Sequence, residues 1–309
     1  MDGVLVVDKP SGPTSHDVVA RVRRALGVRR IGHIGTLDPL ATGVLPLVVG
    51  RATRLASLLT AGRKTYCGSI LLGVSTDTYD ATGTVTADAR DRMGTGLVNA
   101  PGQPAIEQAV QAFVGTGPQR PPPFSAKKIR GVRAYKLARR NRPVAPDPVE
   151  VTVHAIDVLE VDGTRVRCRV TCDAGFYMRA FAHDLGAALG CGACLETLRR
   201  ERNGAFDLRG AVPLDEIDSR GPAIANRIVP LAKLLPEIPS LVLTEHGVRR
   251  ARHGNDLSAA DVVSSSAEWS VGGTSTAEAV TKLYDGQGTL IAIAKADAAR
   301  LLHPTIVLV

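Results

Sequence analysis

In the stretch GHIGTLDPLATGVLP, Gly32 to Pro46, one carboxylate, Asp38, and one imidazole, His33, stand among glycines and apolar residues. A carboxylate held in such a setting can serve as a nucleophile, a general base or the partner of a cation. Pro39 pushes Asp38 toward extended backbone. Gly32, Gly35 and Gly43 admit positive φ or a close approach by another segment. Val44, Leu45, Leu47, Val48 and Val49 then read as a buried strand or core segment. Asp38 is therefore expected on a constrained loop leading into a core. There it must be solvated, hydrogen-bonded or paired, because an unpaired buried charge is costly. The same residues also make an ordinary Asp-Pro turn, and His33 alone reads as a hydrogen-bonded structural residue. The Gly, Lys, Ser/Thr order of a phosphate-cradling P-loop is not present.

The elements that must carry this loop are readable in outline. Gly3 to Asp8 reads as a strand, and Ser15 can cap a helix from about His16 to Leu26 with Val18, Val19, Val22 and Leu26 as its apolar stripe. Arg21, Arg24, Arg29 and Arg30 make its later half and exit basic, which suits a helix C-terminus and also a phosphate-facing patch. Lys64 to Gly73 reads as a strand, Asp80 to Gly83 as a turn, Ala89 to Pro104 as a polar connection and Ala105 to Val114 as a helix. The Pro-rich and basic stretch TGPQRPPPFSAKKIRGVRAYKLARRNRPVAPDP reads as an extended arm with a short helix near Ala134 to Arg140. Val149 to Glu160 and Arg165 to Cys172 form a hairpin around the Asp162-Gly163 turn. A helix from about Met178 to Leu189, a basic segment and a strand beginning at Phe206 to Leu208 follow. Pro236 to Pro239 is a linker, and the β-rich tail from about Ser240 is interrupted by a serine-rich stretch, Ser264 to Ala277, that reads as a flexible loop. Strands and helices in this order suggest an α+β fold rather than alternating βαβ units.

Composition narrows the partners. The 309 residues are enough for two domains, and the net charge of +8 favours a polyanion, nucleic acid first. Aromatic residues are only 4%, which argues against an array of stacking rings and for backbone and shape contacts from Arg and Lys. No apolar run reaches bilayer length, and MDGVLVVDKPSG lacks the features of a signal peptide, so the cytoplasm is the expected address. The five cysteines form no even set, and Cys191-Gly-Ala-Cys194 has no second pair of ligands, so neither a disulfide framework nor structural zinc is expected.

DKPSGPTS, GHIGTLDPLATGVLP, KTYCGSILLG, PPPFSAKKIRGVRAYKLAR, GFYMRAFAHDLG and LRRERNGAF occur in an order that resembles the TruB-type pseudouridine synthases. The resemblance covers nearly all of Gly3 to Leu214; the tail resembles, more loosely, a PUA-like domain. It implies a mixed, mostly antiparallel central sheet in a catalytic domain spanning 1–235, and a small β-rich RNA-binding domain spanning 240–309. It implies isomerisation of the uridine in the T-arm loop of tRNA to pseudouridine by a monomer, with no cofactor and no metal. Asp38 falls on the family's nucleophile, and attack on the base and on the sugar are both compatible with these residues. By the same resemblance His33 stands beside the flipped nucleotide, Tyr66 packs on the uracil, and Arg179 pairs with the catalytic carboxylate. Tyr177 accompanies Arg179 in its motif, Leu198 packs against the base, and Lys9 supports the framework of the site. Ile34 stands where the family usually has threonine, and Cys67 where a more polar residue is frequent.

Two other classes compete. A non-catalytic tRNA-binding or folding protein would account for the basic arm and the tail, but has no need of Asp38, Tyr66 and Arg179 together. A DNA-binding protein inserting the His16–Leu26 helix lacks helix-turn-helix spacing.

Overall fold

The computed structural model describes residues 1–90, 101–125, 128–129, 132–133, 146–263, 280–297 and 301–309. The chain begins with strand β1 (Gly3–Lys9) and helix α1 (Ser15–Leu26). The cap of α1 is Thr14 and not Ser15. Thr14 Oγ1 accepts from the Asp17 amide at 3.2 Å, and Asp17 Oδ2 accepts from the Thr14 amide at 2.8 Å, a reciprocal box that satisfies two orphan donors. The Ser15 side chain is instead committed elsewhere, as described below. Val18, Val19, Val22 and Leu26 are all buried, each worth about 1.5–3 kcal/mol at most.

Strands β2 (Ile31–His33) and β3 (Thr42–Val49) bracket the Asp38 loop. Helix α2 (Ala56–Thr60) leads into β4 (Lys64–Leu72), then into a small hairpin of β5 (Val74–Thr76) and β6 (Val85–Asp88). Helix α3 (Gln103–Gln111), β7 (Gly115–Gln119) and a short hairpin of β8 (Lys128–Ile129) and β9 (Val132–Arg133) precede the long hairpin of β10 (Val149–Asp162) and β11 (Arg165–Cys172). Helix α4 (Met178–Ala188) is followed by β12 (Ala193–Asn203), β13 (Phe206–Asp207), β14 (Val212–Pro213), helix α5 (Leu214–Arg220) and β15 (Val229–Pro230). The C-terminal elements are β16 (Ser240–Val242), helix α6 (Glu245–Arg252), β17 (Val280–Tyr284), β18 (Leu290–Ala296) and β19 (Leu302–Val307).

Among the described residues β1 to β15, apart from the two small hairpins, build one 11-stranded sheet in the order β14-β1-β3-β12-β4-β11-β10-β7, with β2, β13 and β15 attached beside it. Only the β1–β14 and β3–β12 pairings in it are parallel, so the sheet is mixed and mainly antiparallel. Its alternation divides the apolar residues between two faces. Leu5, Val7, Leu45 and Leu47 pack with the α1 stripe and with Phe181 and Leu185 of α4. Val4, Val6, Val44 and Val48 pack with Leu55, Leu234, Leu290, Ile293 and Leu308 on the other face. The segment after α4, read from sequence only as basic, is β12, a central strand between β3 and β4. The expected short helix of the basic arm, most of the Ala89 to Pro104 connection and the serine-rich stretch lie outside the described residues.

The C-terminal unit has its own four-stranded sheet, β16-β17-β18-β19, over a core that includes Leu243, Leu257, Leu283 and Ile291. Arg51 donates through Nη1 to the Leu308 carbonyl at 2.7 Å, and Arg54 donates to that of Val307. Within this unit His303 sits between Asp297 and Asp256, whose carboxylates raise its imidazolium above the ordinary 6.5, Asp297 foremost. A raised folded-state value gives stabilisation that is full below pH 6.5 and is lost as pH climbs through the raised value. Thermal melts at about pH 6 and about pH 9 should therefore differ more for the wild type than for His303→Asn; equal differences would contradict this.

Candidate active site

Asp38 sits on a loop fastened from every side. The Ser15 hydroxyl accepts from the Leu37 amide and donates to the Leu37 carbonyl, both at 2.9 Å. The Gly12 amide donates to the Pro39 carbonyl at 2.9 Å, and the Ala41 amide closes the turn on the Asp38 carbonyl at 3.0 Å. Lys9 is fully buried behind the loop. Its ammonium donates to the carbonyls of Ala41, Pro10 and Pro39 at 2.7, 2.8 and 3.3 Å. Burial pushes Lys9 down to about 8, so it still carries at neutral pH the three protons that three acceptors require. From β12, Arg200 donates to the carbonyls of Gly35 and Val44 at 2.7 and 2.8 Å, and Asn203 donates to that of Ile34 at 3.0 Å. Gly43 makes this closeness possible: a Cβ on it would lie 2.2 Å from the Arg200 carbonyl oxygen, and its φ is +99°.

Helix α4 brings Arg179 to this loop. Its Nε donates to Asp38 Oδ2 at 2.9 Å, Nη1 to the Thr78 carbonyl at 3.0 Å and Nη2 to the Phe124 carbonyl at 2.9 Å. A second carboxylate, Asp80 Oδ2, lies 3.6 Å from the same Nε. The side chains of Arg179 and Asp80 are 6% and 7% exposed, whereas that of Asp38 is 43% exposed. The cation is thus sealed from water on the protein side and offers its field to the one carboxylate that faces the cleft. Asp80 Oδ1 is held by the Thr82 amide at 3.0 Å and by the Thr78 and Thr82 hydroxyls, which leaves Oδ2 for Arg179. Tyr79, with φ of +65°, turns the chain between Thr78 and Asp80, and its ring stacks on His183 at 3.8 Å. Asp80→Asn keeps the shape of this network and removes one of its charges. Single-turnover rates of the isomerisation that the resemblance implies should fall by about 10²-fold, with RNA binding unchanged, as Arg179 drifts from its set position; an unaltered rate would make Asp80 a turn residue only.

Above the Asp38–Arg179 pair opens a cleft of about 250 Å³, whose lining includes Tyr66, Tyr177 and Leu198. Tyr66 and Leu198 come from the adjoining strands β4 and β12, and Tyr177 caps α4. Gln119 grips the Tyr177 backbone, accepting from its amide at 2.8 Å and donating to its carbonyl at 3.1 Å. Burial raises both phenols above the ordinary 10.0, so each presents a neutral ring at physiological pH.

Of the residues singled out in the sequence, Asp38, Tyr66, Tyr177, Arg179 and Leu198 meet in this cleft. His33 and Lys9 do not line it. His33 hydrogen-bonds Thr36 at 3.1 Å and packs edge-on to His16, with burial lowering its imidazole below the ordinary 6.5. Lys9 braces the loop from beneath and has no exposed surface. Ile34 also points away from the cleft. It is 1% exposed in the apolar cluster of Val44 and Val48, and its backbone, not its side chain, holds the loop. Asp80, Arg200, Lys64 and Gln119 were not singled out in the sequence as residues of the site. For Asp80 the signal was the run TDTYDATG, rich in side chains that hydrogen-bond one another in tight turns.

Two adjoining family models match the chain: the TruB family pseudouridylate synthase N-terminal domain over residues 23–178, and the tRNA pseudouridylate synthase B C-terminal domain over residues 179–235. The chain belongs to the TruB family. Asp38, Tyr66 and Tyr177 fall under the first of the two models and Arg179 and Leu198 under the second, so the cleft is assembled across their seam. The chain is 43% identical to the tRNA pseudouridine synthase B of Solibacter usitatus (strain Ellin6076), covering 100% of both chains. It is 43% identical to that of Thermobifida fusca (strain YX) over 83% of this chain and 87% of the other. Among solved structures, it superimposes on a chain of a Cbf5–Nop10–Gar1 complex with a TM-score of 0.66 and 27% identity, covering 95% of this chain and 78% of that one. A chain from an H/ACA ribonucleoprotein bound to a substrate RNA shares the fold with a TM-score of 0.69 at 24% identity, covering 99% and 85%.

Proposed function

We propose that the protein isomerises the T-arm loop uridine of tRNA, position 55, to pseudouridine, with Asp38 as the nucleophile. The observation that carries this is the half-exposed Asp38 carboxylate at the floor of a cleft, bonded to a buried arginine, in a chain of the TruB family. A uridine folded into its loop is out of reach, so it is flipped into the cleft. Its N1–C1′ bond breaks, the freed uracil turns, and a C5–C1′ bond forms. The C5 proton is lost and N1 gains one, so product and substrate are isomers and the reaction consumes no cofactor.

In this reading Arg179 holds and aims the Asp38 carboxylate. Tyr66 and Leu198 hold the uracil between an aromatic and an apolar surface, and Tyr177 frames the entrance to Arg179. His33 fills the space that the flipped nucleotide leaves, and Lys9 stiffens the loop. The protein acts in the cytoplasm as a monomer and uses no metal. Residues 1–235 form the catalytic domain, and 240–309 a PUA-like RNA-binding domain. That division is supported by the C-terminal strands forming a sheet of their own over the core that includes Leu243, Leu257, Leu283 and Ile291, while Leu290, Ile293 and Leu308 seat that sheet against the catalytic one. Among the described residues no helix is long and apolar enough to cross a membrane.

The test is incubation of an unmodified tRNA transcript with the wild-type protein, followed by nucleotide-resolution mapping of pseudouridine. Product at the T-arm uridine is expected. A folded protein that binds the transcript and leaves every uridine unchanged would overturn the reading in favour of a tRNA-binding protein without catalysis.

A further inference from the structure

A second cleft, larger than the catalytic one at about 690 Å³, lies where the catalytic sheet meets the segment leading to the C-terminal unit. Its volume falls within the ~300–1,000 Å³ of ordinary small-molecule and cofactor sites. Arg63, Arg202 and Lys233 bring three cations to it against one carboxylate, Glu237. Arg202 lies 3.8 Å from Asp207. Among the described residues neither Arg63 nor Lys233 has an acidic partner within ion-pair distance, and both are exposed. Leu58, Phe206 and Leu235 add an apolar wall.

The two clefts lie on opposite faces of the sheet and meet around the end of β4. Along the start of β4, Lys64 and Tyr66 line the catalytic cleft while Arg63 and Thr65 line the second, as the alternation of a strand requires. The turn after α2 is their common wall, with Thr60 on one side and Gly62 on the other. Backbone strain marks the second cleft itself. Tyr79 and Leu235 are the non-glycine residues with positive φ among the described residues; Tyr79 belongs to the Arg179 network, and Leu235, at +53°, lines this cleft. Strain of that kind persists only where the surroundings enforce it.

We infer that this second cleft seats a strand of the tRNA next to the modified loop, with backbone phosphates on Arg63, Arg202 and Lys233 and one unstacked base against Phe206. The assignment rests on the functional reading above, because it takes tRNA as the substrate. Arg63 and Lys233, which have no acidic partner among the described residues, suit a phosphate backbone, and an aromatic wall suits any base face.

The experiment measures single-turnover pseudouridine formation on one unmodified tRNA transcript against enzyme concentration, at several salt concentrations. It compares the wild type, Arg63→Ala/Lys233→Ala and Phe206→Leu, with thermal melts alongside. In the double variant the half-saturating enzyme concentration should rise about 10-fold or more, with the maximal rate unchanged. Its dependence on log salt should become shallower by about 1.4 to 2, the loss of two phosphate contacts. Phe206→Leu should weaken binding about 5-fold or more and leave the salt slope as it was. An active wild type whose variants, folded by their melts, bind with unchanged strength and slope overturns the assignment. An inactive wild type instead overturns the functional reading itself.

Discussion

Replacing Asp38 by asparagine should lower the single-turnover rate of pseudouridine formation by about 10⁴-fold or more, while the melting temperature and the affinity for tRNA stay near those of the wild type. The size follows from the chemistry: an amide in place of an ionised carboxylate has no charge with which to open the path from N1 to C5. The persistence of fold and binding follows from the geometry. The loop is held by its backbone, through Ser15, Gly12, Lys9, Arg200 and Asn203, and the Asp38 side chain contributes to none of those bonds. Asparagine has the same shape, so its amide oxygen can take the Arg179 Nε hydrogen bond that Oδ2 accepts at 2.9 Å. Rapid-quench assays on a labelled transcript, with filter binding on the same preparation, read both quantities. A variant that turns over within about 10-fold of the wild type would remove Asp38 from the role of nucleophile.

Arg179→Met should be damaging in two separable ways. The guanidinium is buried and answers two carboxylates and two carbonyls. Its loss leaves Asp80, itself buried, without a cation, which is expected to cost about 3–5 kcal/mol of stability. The rate should fall by at least about 10²-fold, because Asp38 loses the partner that aims it. Arg179→Lys should rescue little, since one ammonium cannot serve acceptors arranged around a planar fork. Pairing Arg179→Met with Asp80→Asn, whose amide oxygen keeps the three hydrogen bonds that Oδ1 accepts, separates the two effects. The double variant should regain much of the lost stability, because no charge is then stranded, yet stay as slow as Arg179→Met alone. Urea unfolding and single-turnover assays on the three proteins decide it. A wild-type urea midpoint for Arg179→Met would show that the network is not structural.

What could be read from sequence was what local chemistry dictates. The Asp38 loop declared itself through Pro39 and its flanking glycines. The β10–β11 hairpin did so through Asp162-Gly163, and α1 through four apolar residues at helical spacing. The hidden parts are those whose meaning depends on distant partners. β12 escaped because LETLRRERN is mostly charged and polar, where a central strand is expected to be apolar. In the fold Arg200 is buried against carbonyls of the Asp38 loop, and Arg199 on the opposite face pairs with Asp8 at 2.7 Å. Asp80 read as a turn residue and is one; its second oxygen acquires a partner only when α4 delivers Arg179. Thr14 outcompeted Ser15 as the helix cap because the Ser15 hydroxyl had a long-range use on Leu37. Helix α6 was missed because EHGVRRAR has almost no apolar stripe and buries only Gly247 and Ala251.

The dependence of the Asp38 loop on β12 also has a consequence in time. Arg200 follows Gly35 by 165 residues, and Asn203 follows Ile34 by 169. At about 5–20 residues per second, a ribosome needs roughly ten to thirty seconds to synthesise the intervening chain. Throughout that interval β3 has β1 and β2 as partners, but the strand that joins it to β4 and closes the centre of the sheet is missing, so β4, with Ile70 and Leu72 in it, keeps an open edge. An unpaired apolar strand edge is what holding chaperones bind and what aggregation exploits. Contacts this distant along the chain also slow folding after release. The protein therefore carries Asp38 early in translation but cannot fix its loop in place until about two-thirds of the chain has emerged, and a stall before β12 would leave an unclosed, aggregation-prone sheet.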